Sequence, residues 1–347
     1  MKQVISISRR TDVPRFYLGW LRDALRKGEV TYEQPGAGPR TVSLLPEHVH
    51  TLVFWSKDYG PFLLDGALRE ALKHYPVYFH FSITGMGGSF LEPLVPPAEV
   101  ALEQMKALAR TWGPERIEWR FDPILHWEVD GRVRSNAGAF ERLATAVRRI
   151  GVRRCTFSFA TLYPKVLPRS RRFGFRFVDP DEEEKAAVLE EMAAIASSLG
   201  ITLAVCSDSR WSVIDGIQNA RCIDASLLAQ LHPSHEPAQG GKDRSQRKEC
   251  LCTPSVDIGS YRQNCPHGCL YCYANPKIPT RRAQSLAEEG GLQLVNPCEA
   301  HPCPTTPSSE IDGPVASSTS IQGSRTGGPA CSEQGRSQSG MATIFSS

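Results

Sequence analysis

The chain has 347 residues and no cysteine before Cys155. No apolar run approaches the roughly 20 residues a membrane span needs, so no transmembrane helix is expected. The opening residues, Met1-Lys2-Gln3-Val4-Ile5-Ser6, lack the apolar stretch and small-residue cleavage site of a secretory signal. A cytoplasmic location with reduced thiols is therefore expected. Neither sign of charge is in much excess: 40 Lys and Arg face 37 Asp and Glu. Bulk charge thus gives no reason to expect nucleic acid or an acidic membrane as partner. What the chain does have is crowded cysteine. Of eleven, five fall between Cys250 and Cys272. Where thiols stay reduced, such crowding points to metal or redox chemistry rather than disulfides.

Apolar residues make up 41% of the chain, enough for a sizeable core. Short runs rich in Val, Ile, Phe and Trp predict strands at 4–8, 51–55, 77–83, 117–121, 155–159 and 201–206. Amphipathic helices are expected between them at 15–26, 61–74, 97–112, 137–150 and 182–199; in the last, Val188, Met192, Ile195 and Leu199 form the apolar stripe. Six such alternations predict an α/β fold: a partial (β/α) barrel of about six parallel strands, with an open doubly wound sheet as the alternative. The run at 51–55 is almost continuously apolar, as burial on both faces requires. The run at 117–121 carries Glu118 and Arg120 and is expected to line a polar interior or an edge. The expected organisation is a barrel-like domain at 1–232, a cysteine-rich iron–sulfur segment at 233–279 folding back onto it, and a low-complexity tail at 280–347. The tail, rich in Ser, Gly, Pro, Thr and Gln, is expected to be disordered, with Cys298, Cys303 and Cys331 as bystanders.

The sharpest motif is Cys265-Pro-His-Gly-Cys269-Leu-Tyr-Cys272. Three closely spaced thiolates can wrap one face of a metal cluster, and Gly268 allows the loop to turn. A four-iron cluster ordinarily takes four thiolates. Three leave one iron open to S-adenosylmethionine, whose carbon–sulfur bond a reduced cluster can cleave to a 5′-deoxyadenosyl radical. Tyr271 is placed to cover the cluster or to pack under the nucleoside. The competing assignment is structural zinc, held by these cysteines with His267 or a fourth Cys. A second group, Cys206, Cys222, Cys250 and Cys252, could complete an auxiliary iron–sulfur cluster or an all-cysteine zinc site. Cys250 and Cys252 are two apart and share a face if extended. Against this, free buried cysteines are commonly just small core residues, as expected of Cys155.

Polar groups gather after the expected strands: Arg9, Arg10 and Asp12; Lys57 and Asp58; Arg120 and Asp122; Tyr163 and Lys165. In parallel sheets these strand ends share one edge, where function resides. Arg9, Arg10, Asp12, Lys57, Arg120 and Asp122 are therefore substrate-contact candidates. A purely structural alternative pairs the three arginines with the two aspartates. Gly85-Met86-Gly87-Gly88-Ser89 after the third strand could approach the cofactor or simply turn the chain. His80 lies between two phenylalanines; a lone strand histidine is more often a hydrogen-bonded core residue than a ligand, and no role is assigned to it.

Several ordered stretches resemble the DUF1848 family of bacterial proteins: Ile7-Ser-Arg-Arg-Thr-Asp12, Val53-Phe-Trp-Ser-Lys57, Ser82-Ile-Thr-Gly85, Trp119-Arg-Phe-Asp-Pro-Ile-Leu125, and Asp257-Ile-Gly-Ser-Tyr261 leading into the cysteine motif. The resemblance spans roughly 3–276 and implies a fold family, not a reaction. The cysteine motif is also similar to that of the radical SAM superfamily, though there the loop usually follows the first strand. Here it follows the last, so the barrel is permuted or the segment folds back. These features together predict a [4Fe-4S] enzyme that cleaves S-adenosylmethionine, served by a reductase or ferredoxin-like electron donor, acting on an undetermined substrate. Two alternatives compete: a zinc-stabilised binding module contacting phosphates through Arg9, Arg10, Arg153 and Arg154, and a simple electron-transfer protein.

Overall fold

The computed structural model of the chain describes residues 2–33, 38–274, 276 and 277; the tail at 280–347 and its three cysteines lie outside the described residues. β1 (Gln3–Ile7) leads to α1 (Val13–Phe16) and α2 (Leu18–Lys27). A hairpin of β2 (Glu29–Glu33) and β3 (Pro39–Ser43) precedes β4 (Val49–Ser56), α3 (Gly60–Leu64), α4 (Gly66–Leu72) and β5 (Val77–Ser82). Next come α5 (Ala98–Trp112), β6 (Ile117–Ile124), β7 (His126–Val129), β8 (Arg132–Ser135), α6 (Phe140–Ile150) and β9 (Arg154–Phe159). The chain continues through α7 (Leu167–Arg172), β10 (Arg176–Val178), α8 (Glu182–Ser198), β11 (Thr202–Val205), β12 (Ile217–Asn219), α9 (Ala225–Leu231) and β13 (Val256–Asp257).

Eight strands form one parallel sheet in the order β12-β11-β9-β6-β5-β4-β1-β13. All six expected strands are in it, but the count is eight rather than about six. The two extra strands have three and two residues, too few to show a period. Among the described residues no pairing joins β12 to β13, so the sheet is open and not a closed barrel. Beyond these two edge strands, the seam is tied by Thr253, whose backbone N–H donates to Ile223 O at 2.8 Å. The sheet also runs across the expected boundary at 232/233, since β13 pairs with β1 through Ile5–Val256 and Ser6–Asp257.

Strand alternation separates the two faces of the sheet. Ile5, Leu52, Phe54, Phe79, Phe81, Trp119, Phe121, Phe157 and Leu203 belong to the main core, packed with residues of α1 to α6 and α8. The opposite face carries Val4, Val53 and Tyr78, packed against Cys222, Ile223, Ala225 and Leu228. Both faces of β4 are thus buried, as its composition requires. In β6 the pattern splits cleanly: Ile117, Trp119 and Phe121 join the main core, while Glu118 and Arg120 are buried polar groups.

Three helices differ from expectation, the first being the run at 15–26, which is interrupted at Tyr17 between α1 and α2. The run at 61–74 breaks into α3 and α4 at Asp65, whose carboxylate accepts from Leu68 N and caps α4. In α8 the buried stripe is Leu189, Met192, Ala193 and Ala196; Val188, Ile195 and Leu199 are only partly buried. Ala193 and Ala196 thus take core positions beside Leu189 and Met192.

Candidate functional site

The cysteine loop hangs from β13. Because β13 lies parallel beside β1, the loop emerges next to Ser8–Asp12, at the carboxyl edge of the sheet. The segment therefore folds back onto the first strand. Asp257 fixes this junction, accepting from Ser6 Oγ at 3.1 Å, Ser8 Oγ at 2.6 Å and Arg9 N at 2.9 Å.

Two buried carboxylates then clamp the loop. His267 Nε2 lies 2.8 Å from Asp12 Oδ2, and its Nδ1 lies 3.0 Å from Leu94 O. Both ring nitrogens therefore face an acceptor oxygen. Asp12 also accepts from Ser56 Oγ, Lys57 N and Arg15 N. Tyr271 donates to Glu92 Oε1, which also accepts from Lys57 Nζ at 3.0 Å and Thr84 Oγ1 at 2.8 Å. Glu92 is only 1% exposed, so its charge depends on these donors. Burial opposes the charge on Lys57, but Glu92 and Cys269 hold its pKa above the ordinary value. Burial and Glu92 push the Tyr271 hydroxyl far up, keeping it a donor. Gly268 takes φ +70° at the turn between His267 and Cys269. Arg169 closes the far side, donating to Leu270 O at 3.1 Å and Cys272 O at 2.7 Å.

Cys265, Cys269 and Cys272 are free thiols on this loop. They lie close enough to raise one another electrostatically, and burial pushes Cys265 up to about 12. Cations face them: Lys57 towards Cys269 and Cys272, with Arg169 and Lys165 also towards Cys272. A thiolate-rich, anionic group suits that surround. Among the described residues no three Cys, His, Asp or Glu side chains form a ready site for a single metal ion. Cluster thiolates bind separate irons and need not converge on one point. His267 is not offered as a ligand, since both its nitrogens are engaged.

This is the setting of a family match. The model described as "Domain of unknown function (DUF1848)" covers residues 4–274. The chain belongs to the DUF1848 family. A search of curated proteins finds no match. The DUF1848 span includes every candidate site residue named from the sequence, and the structure sorts them. Arg120 pairs with Asp122. Burial works against the Asp122 carboxylate, but Arg120 and Ser158 hold its pKa below the ordinary value. The other expected pairs do not form: Arg9 lies 3.9 Å from Asp257, and Arg10 donates to the carbonyls of Glu33 and Gly259. Asp12 is taken by His267 and its neighbours instead. Trp55 lies between the guanidiniums of Arg9 and Arg120, at 5.1 and 5.4 Å. His80 stacks on Trp55 and contacts Cys222 O at 2.7 Å, a core role. Gly87 is structural: a Cβ there would stand 2.0 Å from Pro96 O. Cys155 is wholly buried in the main core.

The sequence reading missed Glu92 and the anchoring role of Asp257. Asp257 lay within a recognised motif, but its partners are 248 to 251 positions away. Glu92 had no local signal at all.

Proposed function

We propose that this protein is an iron–sulfur enzyme of the radical S-adenosylmethionine type, built on an open, barrel-like (β/α) sheet. The observation that carries this is the placement of three free thiols on one clamped loop, at the carboxyl edge of parallel strands and facing Lys57, Lys165 and Arg169. Cys265, Cys269 and Cys272 are the residues that would hold a [4Fe-4S] cluster. When bound and reduced, it supplies the electron that cleaves a carbon–sulfur bond of S-adenosylmethionine.

The chain's own residues position and balance this site. His267 on Asp12 and Tyr271 on Glu92 fix the loop at two points. Lys57 offsets charge on the thiolate side while remaining bound to Glu92. Arg10 and Asp12 are committed to holding loops, which leaves Arg9, Lys57, Arg120 and Asp122 as the substrate-facing candidates. Zinc at the same three thiols is less favoured, because His267 is already engaged twice. A reductase or ferredoxin-like protein would deliver the electron.

The test is anaerobic reconstitution followed by iron and sulfide analysis, then dithionite with S-adenosylmethionine. The expected result is about four irons per chain at this loop and release of 5′-deoxyadenosine. An intact cluster that releases none, and whose paramagnetic spectrum ignores S-adenosylmethionine, would leave electron transfer as the function. Zinc without sulfide would overturn the reading altogether.

A further inference from the structure

Away from the clamped loop, four thiols meet on the opposite side of the sheet from the main core. Cys206 immediately follows β11, Cys222 follows β12, and Cys250 and Cys252 precede β13. Cys206 Sγ and Cys222 Sγ are 3.6 Å apart. Cys252 is buried in one cluster with Cys222 and Cys250, and Cys206 packs against that cluster. The backbone sets this meeting: Thr253 N donates to Ile223 O, one residue beyond Cys252 and Cys222. Asp243 N donates to Cys252 O, which ties down the second segment. Cys222, Cys250 and Cys252 are all buried.

We propose that these four thiols form a second metal centre, a single soft divalent ion of the zinc type held by four thiolates. It is separate from the loop at 265–272 and independent of the radical reading. Three observations carry it. The first is spacing. Metal–sulfur bonds of about 2.3 Å give a tetrahedral sulfur–sulfur edge of about 3.8 Å, close to the 3.6 Å between Cys206 and Cys222. An iron–sulfur cluster places its thiolates on separate irons and spreads them further, so the geometry selects one ion over an auxiliary cluster. The second is charge. Arg120 Nη1 donates to Cys222 Sγ at 3.1 Å, inside the protein. Arg9 faces Cys252, and its Nη2 is buried without a hydrogen-bond partner. Two guanidiniums turned towards sulfur suit a dianionic tetrathiolate centre; a neutral disulfide would have no use for them. The third is topology. The ligands come from both sides of the unpaired seam between β12 and β13, so one ion would bridge the sheet where backbone pairing stops. No three of these thiols yet stand around one point. Binding would draw the Cys250 and Cys252 thiols in to the existing Cys206–Cys222 edge.

The experiment uses the full chain with Cys265→Ala, Cys269→Ala and Cys272→Ala combined, which removes the other thiol group. Metal analysis should find about one zinc per chain and no sulfide. Cobalt(II) added after chelation should saturate at one equivalent with the absorption of tetrahedral cobalt–thiolate. Adding Cys206→Ser and Cys252→Ser should abolish both signals, and Arg120→Gln should weaken cobalt binding at least tenfold, as loss of an outer-shell partner does. If the triple variant does not fold, cobalt is titrated into the wild-type chain, where Cys252→Ser should remove one tetrahedral equivalent. No tetrahedral band, sulfide at this site, or a metal-free protein carrying a Cys206–Cys222 disulfide would overturn the proposal.

Discussion

His267 of the cysteine loop lies 2.8 Å from Asp12, 255 positions earlier, and joins the last strand's loop to the first strand's. The two ends of this contact are not equivalent. Asp12 is held by three other groups, whereas the His267 side chain has only one other hydrogen bond, to Leu94 O. Asp12→Ala should cost about 3–5 kcal/mol, because it strands the buried His267 ring and several other buried donors at once. His267→Ala should cost only about 1–3 kcal/mol, yet loosen the cysteine loop. Urea denaturation would give the two costs. Iron retained after reconstitution should fall in both variants, and equal costs would show that Asp12 matters only through His267.

The Lys57–Glu92 pair makes a second prediction. Lys57→Met leaves Glu92, 1% exposed, with two neutral donors. That should destabilise by about 3–5 kcal/mol, and adding Glu92→Gln should recover most of the loss. A double-mutant cycle in urea checks it. Purely additive losses would mean that the two side chains do not support each other.

Much of this architecture could be read in the sequence, and the limits are physical. β6 announced itself because Ile117, Trp119 and Phe121 alternate with Glu118, Arg120 and Asp122, and its polar side does turn away from the main core. β12 and β13 could not be seen: strands of three and two residues exist only because a neighbour is there to pair with. The three cysteines of the loop and the four of the seam were both visible as groups. That Cys222 and Cys252 stand abreast was not, since it depends on Thr253 reaching Ile223. Glu92 acquires meaning only from Lys57 and Tyr271, 35 and 179 positions away. Of the charged residues near strand ends, Arg120 and Asp122 pair as the structural alternative had them, while Arg9, Arg10 and Asp12 take other partners, because sequence shows which charges exist and not which face each other.

His80 sets a pH dependence. Burial, then Arg120, pushes its pKa well below the ordinary histidine value. Arg9 and Arg154 add to the push, while the bond to Cys222 O opposes it. In the unfolded chain the imidazole takes a proton near pH 6.5, which the folded chain resists until lower pH. Between those two values the unfolded state binds more protons, so stability falls as pH drops below about 6.5, by up to about 1.4 kcal/mol per pH unit. Asp122 acts lower: its depressed pKa contributes stability above the ordinary carboxylate value, lost as pH falls through the folded one. Stability curves from pH 7.5 to 5 should therefore slope in the wild type and slope less in His80→Gln, where His126 and His232, also held low by burial, supply the remainder. An unchanged slope would assign the effect elsewhere.

Arg169 gives the most local test of the loop. Its guanidinium, from α7, reaches two carbonyls, Leu270 O and Cys272 O, on either side of Tyr271. Burial lowers its pKa somewhat, against the pull of Cys272 and Cys269, so the cation sits beside the thiols at some cost. A planar fork can span both carbonyls, while an ammonium is a single point of charge. Arg169→Lys should therefore keep the positive charge yet lose the clamp. Global stability should change by no more than about 1 kcal/mol, since the side chain is only partly buried. Amide exchange across 265–274 should speed up several-fold in both Arg169→Lys and Arg169→Ala, and reconstituted iron should be lost faster in air. If lysine restores slow exchange, charge alone holds the loop and the two-carbonyl clamp is incidental.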